Sequence, residues 1–106
     1  MTTPGTIKKE LKMSDNSARA EIIANGLVQG VGFRYYIIRH ADKLGLKGYT
    51  QNLYTGEVLT VVEGERSLIE DLYNKIKVGP SHSSVKNCRI IWQESKNEFT
   101  KFEVRY

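Results

Sequence analysis

Ala20, Ile22 and Ala24 alternate with Arg19, Glu21 and Ile23, and this period of two predicts a strand opening near Ala18. Three glycines then fall between Gly26 and Gly32, so the strand is expected to stop there. Beyond Gly32 the period lengthens. Phe33, Ile37, Ala41 and Leu44 recur at helical spacing with Tyr36 and Ile38 on the flanks, and Gly45 is placed to end the helix. Leu46–Leu53 predicts a second strand, with Gly56 supplying a hairpin turn within Leu53–Glu57. Val58–Glu63 is rich in β-branched residues and predicts a largely buried third strand, closed by Gly64.

Ser67-Leu68-Ile69-Glu70 has the form of a capping box, in which the Ser accepts from the backbone while the Glu reaches back. Leu68 or Ile69, Leu72 and Ile76 then mark one helical face, and Gly79-Pro80 ends this second helix. Val85–Trp92 and the alternating Phe102, Val104 and Tyr106 predict two final strands. The order is β-α-β-β-α-β-β. On a short chain this predicts an α+β fold of two layers, one sheet with both helices on one face. Two right-handed crossovers separated by a hairpin define the ferredoxin-like sandwich, βαββαβ plus a C-terminal edge strand.

A length of 106 residues suits one domain, expected over residues 18–106. Residues 1–17 are polar and without a sustained period. They are expected to form a flexible extension, with a short helical turn around Lys8–Met13. The net charge of +4 favours anionic ligands only slightly and falls short of a strongly basic nucleic-acid binder. Cys88 is the single cysteine, so no internal disulfide is possible, and its place on a strand fits a half-buried structural thiol. No Cys/His set has zinc-ligand spacing, no run reaches membrane-span length, and no apolar leader opens the chain. A cytosolic location, no metal or other cofactor and no membrane partner are therefore expected.

Chemistry concentrates in the glycine-rich turn before the first helix. Amides in a helix's first turn lack internal partners, the helix dipole is positive there, and glycines let a loop curl so that several N–H groups converge. A phosphate-sized anion is the natural ligand, and Arg34 is placed to close a guanidinium over it. On the residues alone a second reading stands beside this one: an ordinary strand-to-helix turn with a solvated arginine. Neither a Walker A loop nor a dinucleotide fingerprint is present. His40 lies beyond the loop as a surface histidine, His82 is a loop residue, and Ser81, Ser83 and Ser84 have no paired His and Asp. Asp42, Glu57 and Glu63 are scattered, and Lys75 and Lys77 solvate the end of the second helix.

Gly26-Leu27-Val28-Gln29-Gly30-Val31-Gly32-Phe33-Arg34 resembles the acylphosphatase signature Gly-x-Val-Gln-Gly-Val-x-Phe-Arg at every defined position. Ala41, Leu44-Gly45-Leu46 and Gly48-Tyr49-Thr50-Gln51-Asn52 extend the similarity. So do Gly56-Glu57-Val58, Glu63-Gly64, Gly79-Pro80, Val85 and the run Phe102–Tyr106, so that it covers residues 18 to 106. The resemblance implies a metal-independent hydrolase of acyl phosphates that releases inorganic phosphate and acts as a monomer. It implies that Arg34 binds the substrate phosphate, that Gln29, Gly30, Val31, Gly32 and Phe33 form the phosphate cradle, and that Asn52 orients the attacking water. Tyr49 stands where the family usually has Trp, Gln51 where it often has a basic residue, and Thr55 where it has Asp or a similar residue. These departures bear on strand packing and the site rim. If the family's sheet order holds, the final strand brings Tyr106 near Asn52; simple edge packing is the alternative.

The alternatives from other classes are an RNA-binding sheet, a domain that binds carbamoyl phosphate or regulates a larger enzyme, and a structural partner-binding module. RNA-binding sheets of this topology stack bases on aromatics of the central strands. Ala20–Ala24 and Glu57–Glu63 carry no Phe or Tyr, so nucleic acid is not an expected partner.

Overall fold

The computed structural model describes residues 16–106. Residues 1–15 of the expected N-terminal extension, including the turn at Lys8–Met13, lie outside the described residues; Asn16 is described, and Ser17 already belongs to the first strand. The elements are β1 (Ser17–Leu27), α1 (Phe33–Lys43), β2 (Lys47–Asn52), β3 (Val58–Glu65), α2 (Arg66–Val78), β4 (Ser84–Gln93) and β5 (Phe102–Arg105). The sheet order is β4-β1-β3-β2-β5, antiparallel throughout except for the β2–β5 pair. This is the ferredoxin-like arrangement with one added edge strand.

Register sets which residues face the helices. Gly48 pairs with Val62, Thr50 with Thr60 and Asn52 with Val58, so these six share one face. Ala18, Ala20, Ile22 and Ala24 of β1 join them in the core. Against this face lie Phe33, Ile37 and Ala41 of α1 and Ile69, Leu72 and Ile76 of α2, all fully or almost fully buried. Each set repeats at three- or four-residue spacing, which is why one stripe of each helix suffices. α1 lies over β2 and β5, and α2 over β1, β3 and β4.

Two local expectations are corrected, and the end of β1 carries an unexpected feature. β1 ends within the glycine-rich span, as expected. It runs to Leu27 through a register shift between Asn25 and Gly26, and a Cβ at Gly26 would stand 2.2 Å from the Ser84 carbonyl oxygen. The glycine therefore admits a close crossing with β4 where a larger residue would have ended the pairing. β3 likewise passes through Gly64 to Glu65, which still pairs with Ser17. As a result α2 starts at Arg66, with Glu65 in extended conformation as its N-cap and no side-chain cap. The Ser67–Glu70 capping box is not formed. The Asn16 carbonyl accepts from the Arg66 N–H instead, at 2.8 Å. At the other helix the end is as expected: the Gly45 and Leu46 amides donate back to Asp42 and Ala41.

The opposite sheet face is partly roofed by the β4–β5 connection. Glu63, 6% exposed, accepts from the backbone N–H groups of Lys96 at 2.6 Å and Glu98 at 2.9 Å, and pairs with Arg19 at 3.3 Å. Burial alone would raise this carboxyl's pKa. The two amides and Arg19 outweigh that and hold it below its ordinary value. Phe99 packs edge-on to Tyr49, and the Arg105 guanidinium stacks on Tyr49 at 3.8 Å.

Candidate active site

β1 and β2 both run antiparallel to β3, so their carboxyl ends emerge at the same rim of the sheet. α1 crosses from the end of β1 over β2, which puts its N-terminus at that rim. Topology therefore brings the glycine-rich turn to Asn52, the last residue of β2. Asn52 stands on the helix-facing side by register with Thr50 and Gly48.

The turn has the form an anion cradle needs. Val28, fully buried, anchors its start. Gly30 and Gly32 both have φ of 76°, the left-handed region that favours glycine. Gly32 is the N-cap of α1, and neither a side-chain cap nor an acidic residue satisfies the first turn. The first amides of α1 thus have no partner from their own helix or from a capping side chain. Arg34, half-buried, projects from that turn. Its Nη1 donates to the Arg105 carbonyl at 3.4 Å, and its Cζ lies 4.8 Å from the centroid of the Tyr106 ring.

Gly30, Gly32, Phe33, Arg34 and Asn52 line one cavity of about 160 Å³, together with Val28, Tyr35, Val104 and Tyr106. The Asn52 Oδ1 is buried and has no hydrogen-bond partner. An acceptor left unpaired in this way costs about 1–3 kcal/mol, a cost that a donor such as water would relieve. Two side chains of the expected cradle point elsewhere. The Val31 side chain packs on the core, which leaves only its backbone for the loop. The Gln29 amide turns away and donates to the carbonyls of Leu53 and Glu57, both at 2.9 Å. It ties the loop to the base of the β2–β3 hairpin, directly beside Asn52.

Tyr35 drew no attention in the sequence, since it follows Arg34 off the apolar stripe. Its exposure beside the cavity is visible only in the fold. The Tyr106 contact follows from β5 pairing in parallel with β2. A larger depression of about 520 Å³ opens nearby, lined by Asn25, Leu27, Thr55, Glu57 and Lys86 among others. Its Glu57 carboxylate opposes an anion, and no helix N-terminus points into it.

The remaining candidates fall outside the cavity. His40 packs edge-on to Tyr36 at 4.6 Å; burial, and then Lys75, Lys43 and Arg39, push its pKa down. The Cys88 thiol is half-buried and pushed up to about 11 by burial, which fits an inert structural residue. Among the described residues no three of His, Cys, Asp and Glu gather as a metal-ligand set, and no helix is long and apolar enough to cross a membrane.

Fold and rim together define a ferredoxin-like domain with a main-chain cradle at a helix N-terminus, closed by one arginine and one amide. The acylphosphatase family matches residues 20–104. An acylphosphatase of Caldivirga maquilingensis is 42% identical over 92 residues, spanning 86% of this chain and 97% of that protein. The crystal structure of acylphosphatase from Bacillus subtilis superposes with a TM-score of 0.81 at 31% identity, covering 84% of this chain and 99% of that one. Full-length HypF, in a phosphate- and nucleotide-bound form, contains a similar fold in 12% of its chain, covering 85% of this one with a TM-score of 0.78 at 33% identity. The chain belongs to the acylphosphatase family, hydrolases of the acid-anhydride bond in acyl phosphates.

Proposed function

We propose that this chain hydrolyses acyl phosphates at the α1 N-terminus, with Arg34 and the amides of the Gln29–Phe33 loop holding the phosphoryl group and Asn52 placing the water. The unpartnered, buried Oδ1 of Asn52, a residue that lines the same cavity as Gly30, Gly32 and Arg34, carries the reading. A water that donates to Oδ1 has a lone pair free for phosphorus. It attacks from that side, and the bond from phosphorus to the carboxylate oxygen breaks with its electron pair leaving on the carboxylate. Both water protons end on the phosphate, so a dianionic acyl phosphate and water become a carboxylate and dihydrogen phosphate.

The leaving carboxylate is a weak base and needs no strong general acid. What the reaction needs is position and charge neutralisation. Donors fixed in advance supply the second, each worth about 3–4 kcal/mol in other enzymes. Asn52 does not titrate near neutral pH and acts only by orienting. No step requires a metal.

The test is benzoyl phosphate hydrolysis with chelator present, for wild type, Arg34→Ala and Asn52→Ala. Turnover by wild type and a loss of at least about 100-fold in each variant, with unchanged circular dichroism, is the expected result. Either variant retaining most of the activity refutes the assigned roles. A cytosolic location and a monomeric state belong to the same proposal. The unpaired Cys88 suits a reducing compartment. A dimer in sedimentation at micromolar concentration would refute the second. The likeness to part of HypF favours one other reading, a domain that serves a larger enzyme. A preference for carbamoyl phosphate over benzoyl phosphate would support it.

A further inference from the structure

Two of the six large apolar side chains exposed among the described residues, Tyr35 at 67% and Tyr106 at 91%, stand on the wall of the cavity that holds Arg34 and Asn52. Neither ring belongs to the hydrophobic core. Tyr35 lies off the buried stripe of α1, and Tyr106 follows the last residue of β5. The cavity has a clear inner and outer end. Asn52 Oδ1 is fully buried, and the two rings are at the mouth. Between them lie Arg34, whose guanidinium stacks on the Tyr106 ring, and the apolar side chains of Val28 and Val104.

In-line displacement fixes what must occupy the mouth. Water at the inner Asn52 end and phosphorus at the Arg34 cradle leave one direction for the departing carboxylate, outward past the two rings. We propose that Tyr35 and Tyr106 bind the acyl group of the substrate and make this chain selective for aromatic or bulky apolar acyl phosphates over acetyl-sized ones. The inference rests on the reading that acyl phosphates are hydrolysed in this cavity. A ring stacked against the tyrosines loses far more water-exposed area than an acetyl methyl does.

The experiment compares kcat/KM for benzoyl phosphate and acetyl phosphate in wild type, Tyr35→Ala, Tyr106→Ala and the double variant. Calorimetric binding of phenylphosphonate and methylphosphonate is measured on the same proteins. Effects that pass through Arg34 change both members of each pair alike, so the ratio isolates the acyl group. The benzoyl-to-acetyl ratio, and the phenyl-to-methyl binding ratio, should each fall by up to about tenfold per tyrosine removed. Ratios unchanged from wild type would overturn the proposal, even with both rates lowered. Wild type that turns over neither substrate refutes the hydrolytic reading. The phosphonate ratio then still decides whether the tyrosines hold the organic group: a fall upholds that part, and no change overturns it. Both side chains are exposed, so thermal unfolding should move little and keeps the comparison clean.

Discussion

Replacing Gln29 by Met keeps the length of the side chain and removes its two donors. Both lost bonds are 2.9 Å and run to the carbonyls of Leu53 and Glu57. Each carbonyl keeps a second partner: Leu53 accepts from the Gly56 amide at 3.0 Å, and Glu57 from the Leu53 amide at 2.8 Å. Neither oxygen is orphaned, so the cost is the ordinary net value of about 1 kcal/mol per bond, together about 2 kcal/mol. In the reading proposed above, the loop must then be re-ordered each time phosphate binds. If the whole loss falls on binding, kcat/KM drops roughly 30-fold, since about 1.4 kcal/mol is a factor of ten. The fall should appear mainly in KM and in the Kd of inorganic phosphate, because Gln29 does not touch the reacting atoms. Steady-state kinetics with benzoyl phosphate and phosphate calorimetry measure both. A variant that melts lower but keeps both constants within about twofold would show that the bonds stabilise the hairpin alone, and the positioning argument would fail.

Three other predictions concern the frame around the cavity. Glu63→Gln should lower stability at pH 7 by about 2 kcal/mol, since it weakens charge-assisted bonds to Lys96, Glu98 and Arg19. The folded carboxyl titrates below its ordinary value of 4.5, so its contribution is complete above that pH and is lost as pH falls through the folded value. Urea midpoints for the two proteins should therefore converge as pH falls below the ordinary carboxyl range, and a gap that stays constant on acidification would contradict the assignment. Gly26→Ala should destabilise the β1–β4 pairing by more than about 2 kcal/mol, because its Cβ meets backbone on β4 rather than a side chain that can move; an unchanged melting temperature would refute this. Cys88, pushed up to about 11, should react with a thiol reagent at pH 8 far more slowly in the native protein than in urea, and modification as fast as in the unfolded chain would refute its burial.

Element order and the core were legible because their signals are local. A period of two became a strand, and Phe33, Ile37 and Ala41 became the buried stripe of α1. Errors arose where a partner distant in sequence decided the outcome. Gly26 carries a close β4 crossing that no local pattern shows, and a glycine there sustains the pairing. Ser67 looked like a cap, yet β1 holds β3 in register as far as Glu65 and moves the helix start to Arg66. Site legibility divides in the same way. The anion-binding tendency of the turn can be read from its glycines and helix start. The meeting of that turn with Asn52 depends on β1 and β2 ending at one rim, which no local pattern encodes. Gln29 and Val31 lie in the turn, but the outward turn of the Gln29 amide and the inward packing of Val31 depend on the hairpin and core they meet.

The cavity is built of two kinds of material. Its inner wall beside Asn52 is main chain, shaped by Gly30 and Gly32, while Tyr35 and Tyr106 at its mouth are side chains from different elements. An amide direction is set by backbone torsion and does not change when a neighbouring side chain is exchanged. A mouth residue can be exchanged without moving that wall. In the reading proposed above, the same scaffold acquires new clientele through a single codon change at Tyr35, while a change at Tyr106 also removes the ring on which Arg34 stacks.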